Sequence, residues 1–347
     1  MQYNDGFSGS FYQPPNTPQF EHRVPSPDDI EKTEIQRSSN RIGATFLISF
    51  GAVQILGLIF SVVLIAIYGM NEAAQMINSP LIQVMLQLVL SVLMFVPPFY
   101  IMARISRFRI SDLLVHRRIP ADDMLWFISF GLMVSMAANI VVNIIAAFID
   151  SLGFNINYTS LEMPETIGGC MLWAVTMSVI PAFVEEFALR AVVLGTLRRF
   201  GDTFAIIASA ALFGLMHGNI VQIPFAFILG LVFAYITVVT GSIIPAMLIH
   251  FINNFYSCVL EIVNKFGSPL ANTAVGYGLF ALFILMGIIG SVKLSKKGYF
   301  AVHLYKSGTG LSNTSKLGAF LCTPCMIICV LVYLVEMVIQ LIPGGVI

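Results

Sequence analysis

Charged residues are scarce in this sequence. Asp, Glu, Lys and Arg make up 10% of its 347 residues, whereas 57% are hydrophobic, and 18 basic residues balance 18 acidic ones. So few charges cannot cover the surface of a water-soluble fold, which excludes a soluble globular protein. The zero net charge by itself says little about partners. We expect the lipid bilayer as a partner and no nucleic acid.

Cysteine is also scarce, and the number of cysteines is odd. The five cysteines lie in or beside apolar runs, so they do not indicate a disulfide framework. Cys322 and Cys325 have the spacing of a redox motif but lack the soluble βαβ surroundings of such motifs.

Long apolar runs are what the sequence has instead. A helix needs about 20 apolar residues to cross a bilayer, and the runs predict an all-α polytopic membrane protein with eight or nine transmembrane helices. The fifth run is short, and only Gly241 separates the sixth from the seventh. The predicted spans are 42–70, 80–103, 124–149, 169–197, 203–217, 221–240, 242–263, 273–292 and 317–342.

The predicted spans divide the chain into four regions. Region 1–41 is a cytosolic disordered tail with a short helix, 42–168 holds the N-terminal membrane helices, 169–264 forms a central core, and 265–347 holds the C-terminal membrane helices. Residues 1–25 contain no apolar stretch of the signal-peptide kind, so we expect no cleaved leader. Ser26, followed by Pro27 and two acidic residues, predicts the start of a short helix that ends near Arg37 and leads into the first span.

Basic residues predict the orientation, because Lys and Arg stay on the cytoplasmic side during insertion. They cluster before the first span and after the second, fourth and eighth spans, all on one side of the membrane. With nine spans the N-terminus is cytoplasmic and the C-terminus external, and Lys265 is the one basic residue in an external loop. We expect a multi-pass protein of the cell membrane. The clusters are Lys32, Arg37 and Arg41; Arg104, Arg107, Arg109, Arg117 and Arg118; Arg198 and Arg199; and Lys293, Lys296, Lys297, Lys306 and Lys316.

Three ionisable residues, Glu185, Glu186 and Arg190, lie inside the fourth run. A charged side chain in the middle of a membrane helix costs at least ~2.5 kcal/mol, so these residues need partners, water or a chemical role. Glu186 and Arg190 have the i, i+4 spacing that lets the cation pair with the acid. Glu185 points about 100° away on a regular helix and has no such partner, which suits a general base acting on water.

Two further polar pairs follow, again with i, i+4 spacing. Phe213 precedes His217 in the fifth run, and His250 precedes Asn254 in the seventh. With a rise of ~1.5 Å per residue, Glu185, His217 and Asn254 fall at similar membrane depths, and His250 lies one or two turns closer to the cytoplasm. We therefore expect one intramembrane cavity formed by the central helices.

These residue types suit peptide hydrolysis. Glu185 is the candidate base, His217 the group that helps to hold the water, and His250 and Asn254 the donors to the oxyanion. Glu186 and Arg190 support the arrangement, and Phe213 packs, for example against His217. The alternative for each pair taken alone is structural, because ion pairs also cross-link membrane helices.

The ordered motifs Glu-Glu-x-x-x-Arg, Phe-x-x-x-His and His-x-x-x-Asn resemble the CPBP family, which comprises CAAX proteases and bacteriocin-processing enzymes and is also called Abi. The resemblance covers residues 169–264 and implies an intramembrane endopeptidase in which Glu185 and His217 activate water. It further implies that His250 and Asn254 form the oxyanion hole and that no cofactor is needed. The family has also been described as metalloproteases, and in that case Glu185, His217 and His250 would hold zinc. We favour the metal-free mechanism.

The family resemblance leaves the substrate open. Membrane-associated or lipophilic peptides are the expected partners, in peptide maturation, CAAX-type processing or bacteriocin immunity, and the combination of features is typical of prokaryotic members. Two other classes of function remain as alternatives: a non-catalytic immunity or scaffold protein, and a proton-coupled transporter that uses Glu185, His217 and His250 as a relay. The oligomeric state is not predicted.

Overall fold

The computed structural model describes residues 24–106, 117–153 and 161–339, and the regular elements in these residues are helices. The predicted all-α fold is confirmed. Residues 1–23 of the predicted tail, Arg107, Arg109 and the last residues of the predicted final span lie outside the described residues. The helices are α1 Pro27–Tyr68, α2 Met70–Ile77, α3 Pro80–Ile105, α4 Ala121–Ser151, α5 Ile167–Phe200, α6 Asp202–Leu215, α7 Gln222–Thr240, α8 Ile244–Phe266, α9 Pro269–Lys296, α10 Asn313–Leu321 and α11 Pro324–Ile339.

Most of these helices are long and apolar enough to cross a membrane. Within the described ranges seven qualify, namely α1, α3, α4, α5, α7, α8 and α9, and the bent pair α10 and α11 makes an eighth if it is one span. Helix α6 corresponds to the short fifth run of the prediction. Its 14 residues span about 21 Å, less than the hydrocarbon core of a bilayer. The chain is a multi-pass membrane protein.

Helix α1 begins where the sequence predicts. Ser26 Oγ accepts a hydrogen bond from the Asp29 backbone, and the Asp29 carboxylate accepts one from the Ser26 backbone, which forms a capping box. The predicted separate short helix is wrong, however, because α1 continues for 42 residues to Tyr68. Nothing between the polar first turns and the apolar run breaks helical hydrogen bonding, so the two parts form one helix.

The start of α1 lies at a basic face of the bundle, which we define by Arg117, Arg199, Lys297 and Lys316. Lys316 on α10 is 3% exposed; its Nζ donates to the Phe200 carbonyl at 2.7 Å and lies 3.2 Å from the Glu31 carboxylate. These contacts tie α10 to the C-terminal end of α5 and to the first turns of α1. A buried cation without such partners would destabilise the fold.

The predicted final span is broken into two helices. Helices α10 and α11 differ in direction by 78°, and Pro324, which has no N–H to continue α10, starts α11. Helix α11 then runs parallel to α1, since Gly43 meets the Met326 backbone and Phe46 packs against Tyr333. A single continuous span over 317–342 is therefore wrong for the described part.

Helices α6 and α7 form an antiparallel hairpin that carries part of the candidate site. Gly214 near the end of α6 faces Phe227 of α7, and Gly230 of α7 faces Ala210 of α6. Small residues at such crossings let two membrane helices approach closely. Gly241 then caps α7 with a left-handed backbone, φ +64°, so that the chain turns directly into α8 as the sequence predicts.

Replacement of Gly43 tests the packing of α11 on α1. In Gly43→Ala, the added methyl would lie 2.7 Å from the backbone of Cys325 and Met326, and backbone cannot move aside as a flexible side chain can. We expect the free energy of unfolding in detergent to fall by about 1–3 kcal/mol, the usual cost of overpacking.

Gly57→Ala is the matched control, because nothing lies within 4 Å of the added methyl on the same helix. Alanine favours a helix over glycine by about 1 kcal/mol, so this variant should be no less stable than the wild type. Equal unfolding midpoints for the two variants would contradict the close contact at Gly43.

Candidate active site

Helix α5, which carries the two glutamates, is not a regular α-helix. Two π-helical segments, Val175–Val179 and Phe187–Leu194, flank the short α-helical segment Ile180–Glu186. The regular α-helical spacing expected from the sequence is wrong for these segments. Their backbone hydrogen bonds join residues five apart rather than four, which changes the direction of the side chains that follow. Such segments are frequent at functional sites.

Glu186 links helices α5 and α8. Its Oε1 accepts a hydrogen bond from His250 Nδ1 at 3.0 Å, and Arg190 Nε lies 3.1 Å from its Oε2. The side chains of Glu186 and Arg190 are fully buried. The sequence predicted the pair with Arg190 but not the contact with His250, since no pattern in the sequence relates α5 to α8.

Arg190 is held by aromatic rings as well as by Glu186. Its guanidinium carbon lies 4.2 Å from the centre of the Phe213 ring and 5.2 Å from that of Phe233. None of its N–H groups makes an aligned hydrogen bond to a described residue, so charge attraction and cation–π contact hold it in place. Phe213 thus packs against Arg190 in addition to His217, the contact that the sequence analysis gave as an example.

Glu185 makes no ion pair with Arg190 in the described residues. Its Oε2 lies 3.9 Å from His250 Nε2 and has no hydrogen-bond partner in the described part of the chain. The side chain is 15% exposed, whereas that of Glu186 is fully buried. The Glu185 side chain is thus partly accessible, and its buried Oε2 has no protein partner among the described residues.

His217 lies just beyond the end of α6 and bonds back to that helix. Its Nδ1 lies 2.7 Å from the Phe213 carbonyl oxygen. Because a carbonyl oxygen only accepts, Nδ1 carries the proton and Nε2 is the acceptor of the neutral ring. The Phe213 ring meets the imidazole edge to face at 5.1 Å and fixes its orientation.

Asn254 is positioned by a chain of polar contacts. Its Nδ2 donates to the Met177 carbonyl at 3.3 Å, and its Oδ1 accepts from Asn253 Nδ2 at 3.1 Å. Asn253 in turn accepts a hydrogen bond from Ser135 on α4. Pro181 has no N–H for the Met177 carbonyl four residues before it, the acceptor that a regular α-helix would use.

The four predicted catalytic residues line one cavity of about 240 Å³ between α3, α5, α6, α7 and α8. Glu185, His217, His250 and Asn254 come from three motifs that are distant in sequence, and Phe213 lies in the same wall. Glu186 and Arg190 lie behind this wall. The structure thus brings together all the residues that the motifs single out.

Some polar residues of the cavity were not predicted as part of the site. Asn253 was set aside because it lacks helical register with His250, yet it lines the cavity and holds Asn254. Thr176, Gln87 and Gln222 also line it. A hydroxyl or amide inside an apolar run is the signal that could have identified them, but such residues are common where helices only pack.

In the described ranges, no three His, Cys, Asp or Glu residues are placed to hold a metal ion. His250 contributes one ring nitrogen to the bond with Glu186, and the other lies 3.9 Å from Glu185. Zinc is bound by histidine nitrogen and carboxylate oxygen at about 2.0–2.2 Å. Glu185, His217 and His250 do not form such a ligand group in the described part of the chain.

Comparison with known protein families places this geometry in context. Residues 167–256 match the Rce1-like family model. That model describes type II CAAX prenyl endopeptidases, and the matched segment is about a quarter of the chain. It contains all three motifs, so the resemblance to the CPBP family is confirmed for this segment. The match supports an intramembrane endopeptidase of the CAAX type. No curated protein and no solved structure gives a significant match to the chain.

Arg190→Ala tests the buried ion pair. The substitution leaves Glu186 buried without its cation and removes the group packed on Phe213. We expect the free energy of unfolding to fall by about 3–5 kcal/mol, as when one partner of a buried pair is removed. Thermal unfolding in detergent measures the change.

Arg37→Ala is the control for Arg190→Ala. Arg37 also pairs with a glutamate on its own helix, Glu34 at 2.7 Å, but its side chain is 64% exposed. An exposed pair contributes at most about 1 kcal/mol, so this variant should unfold close to the wild type. A loss of stability as large as that of Arg190→Ala would show that burial of the pair is not what matters.

Proposed function

We propose that this chain is an intramembrane endopeptidase that hydrolyses a peptide bond of a membrane-associated or lipid-modified peptide with water activated by Glu185. One observation carries the proposal: Glu185 on α5, His217 after α6, and His250 and Asn254 on α8 line one cavity. The cavity contains a carboxylate, an imidazole that can accept a hydrogen bond, and two potential donors. These are the groups that acyl hydrolysis needs.

Glu185 acts as the general base. Its unbonded Oε2 accepts a proton from water while His217 Nε2 accepts the second water hydrogen, because His217 Nδ1 is occupied by the Phe213 carbonyl. The water oxygen bonds to the carbonyl carbon of the substrate. The proton on Glu185 then passes to the leaving nitrogen as the C–N bond breaks, so one water is consumed per peptide bond.

His250 and Asn254 stabilise the oxyanion. The Asn254 amide has two N–H groups, and the one that does not donate to Met177 is available to the substrate oxygen. His250 Nε2 donates to the same oxygen. Loss of one such donor lowers the rate about 100- to 1,000-fold in well-studied hydrolases.

Glu186 prepares His250 for that role. If Nδ1 donates to Glu186 and Nε2 donates to the oxyanion, both ring nitrogens carry protons and the ring is an imidazolium. The carboxylate of Glu186 stabilises this charged ring. Arg190 contacts the other oxygen of the same carboxylate.

The walls of the cavity suit an apolar substrate. Phe225, Ala226, Leu229 and Phe233 on α7 line the side of the cavity that carries no charge. Apolar walls favour a lipid chain or aliphatic side chains, whereas the polar groups engage the peptide backbone. Together with the prenyl endopeptidase family that the core matches, this supports a prenylated C-terminal peptide as the first substrate to test.

We also propose that the basic face is cytoplasmic, since Lys and Arg are retained there. Helix α11 runs parallel to α1, so the chain beyond α11 should emerge on the external side. Alkaline phosphatase fused after Ile347 and produced in bacteria should be active, because that enzyme matures only outside the cytoplasm. If this fusion is inactive and green fluorescent protein fused at the same position is fluorescent, the C-terminus is cytoplasmic. The proposed orientation would then be the reverse of the true one.

Glu185→Gln tests the proposed chemistry. The purified wild type should cleave a farnesylated peptide with a CAAX end or members of a quenched peptide library in detergent. Glu185→Gln keeps the size of the side chain but cannot take a proton from water, so the rate should fall at least about 100-fold with unfolding unchanged. Initial rates from fluorescence measure this loss.

Glu165→Gln is the control, because the Glu165 side chain is 83% exposed in the loop before α5. This variant should cleave the substrate as fast as the wild type does. Activity that survives a zinc chelator supports the metal-free mechanism, and activity that zinc restores after chelation contradicts it. Folded wild type that cleaves neither substrate would favour the immunity or scaffold alternative.

A further inference from the structure

Thr176 is one of the polar residues of the cavity that the mechanism above does not use. It lies in the first π-helical segment of α5, is 2% exposed, and lines the same cavity as Glu185. Its Oγ1 is buried and has no hydrogen-bond partner among the described residues. Glu185 Oε2 is in the same condition, so two buried oxygens of the cavity wall lack protein partners.

The second hydroxyl of the same segment, that of Ser178, is satisfied within the helix. Ser178 is also buried, at 1% exposed, but its Oγ donates to the Ala174 carbonyl at 2.6 Å. That bond to the residue four before it is the usual way for Ser or Thr to be satisfied within a helix. Ser178 is absent from the residues that line the cavity, whereas Thr176 lines it.

An unpaired buried hydroxyl destabilises a fold, and native proteins pair nearly all of them. Valine has nearly the same shape and carries no such cost, so a threonine here is explained if a bound molecule supplies the partner. The next residue, Met177, uses its carbonyl to hold Asn254. Thr176 is therefore adjacent in the chain to the residue that anchors a proposed oxyanion donor.

We propose that the Thr176 hydroxyl hydrogen-bonds the peptide backbone of the substrate beside the bond that is cleaved. A hydroxyl both donates and accepts, so it can pair with a backbone C=O or N–H whatever the side chains are. Thr176 is then a substrate-binding residue rather than part of the water-activating group. This inference rests on the proposed peptide substrate, and it adds a contact that the three motifs do not contain.

Binding to an inactive background tests the inference without requiring turnover. A dansyl-labelled farnesylated CAAX peptide is titrated into Glu185→Gln and into Glu185→Gln with Thr176→Val, and Kd is measured by fluorescence anisotropy. Loss of one hydrogen bond to a neutral partner should raise Kd about three- to tenfold. Thr176→Ser in the same background keeps the hydroxyl and should restore binding, and Ser178→Ala should leave Kd unchanged.

Stability gives a second readout, because the same substitution should weaken peptide binding without lowering the unfolding temperature. Because Val removes an unpaired hydroxyl without leaving a cavity, Thr176→Val should unfold at the same temperature as its parent or a higher one. Weaker binding together with unchanged or higher stability supports the inference. A structural role would instead lower stability.

An unchanged Kd for Thr176→Val, or no binding of the peptide by any variant, would overturn the inference. Its failure and that of the proposed function are separable. Cleavage by wild type with a normal Kd for Thr176→Val removes only the Thr176 contact, whereas peptide binding that depends on Thr176 without any cleavage by wild type removes only the catalytic proposal.

Discussion

The candidate site depends on one buried carboxylate, that of Glu186. It contacts Arg190 on its own helix and His250 on α8, sixty-four residues away in the chain. A buried charge is stable in an apolar bundle only with such partners, and these partners fix the ring of His250 with its second nitrogen towards Glu185. The two adjacent glutamates thus have different roles. Glu186 is fully buried and holds the structure, and Glu185 faces the cavity.

The irregular backbone of α5 allows Glu185 and Glu186 to have these different roles. One π-helical segment precedes the glutamates and the other follows them, and Pro181 lies in the α-helical segment between the two. Irregular backbone is tolerated at membrane depth where protein groups or a polar cavity satisfy it. Here the Met177 carbonyl accepts from Asn254, and Asn253 and Ser135 extend the polar contacts to α4. The polar cavity is therefore assembled from backbone and side chains together, and apolar rings from α6 and α7 surround it.

Much of this arrangement could be predicted from the sequence, because hydrophobic runs and i, i+4 spacing are local properties. The spans, the capped start of α1, the turn at Gly241 and the common cavity of the three motifs follow from them. The contact between Glu186 and His250, the role of Asn253 and the orphan hydroxyl of Thr176 depend on how separate helices pack. The π-helical segments also escaped prediction, and Pro324 indicates a kink in the last span but not a bend of 78°. Composition differs little between a regular, an irregular and a broken apolar helix.

The fate of the attacking oxygen tests the central claim, that Glu185 activates a water which attacks the substrate directly. A single turnover of the farnesylated peptide in water enriched in heavy oxygen, followed by mass spectrometry of both products and of the enzyme, follows that atom. Direct attack by water places one heavy oxygen in the new carboxyl terminus of the product and none in the peptide that contains Glu185. Heavy oxygen in the Glu185 carboxylate would instead reveal a covalent intermediate, and Glu185 would then be a nucleophile rather than a base.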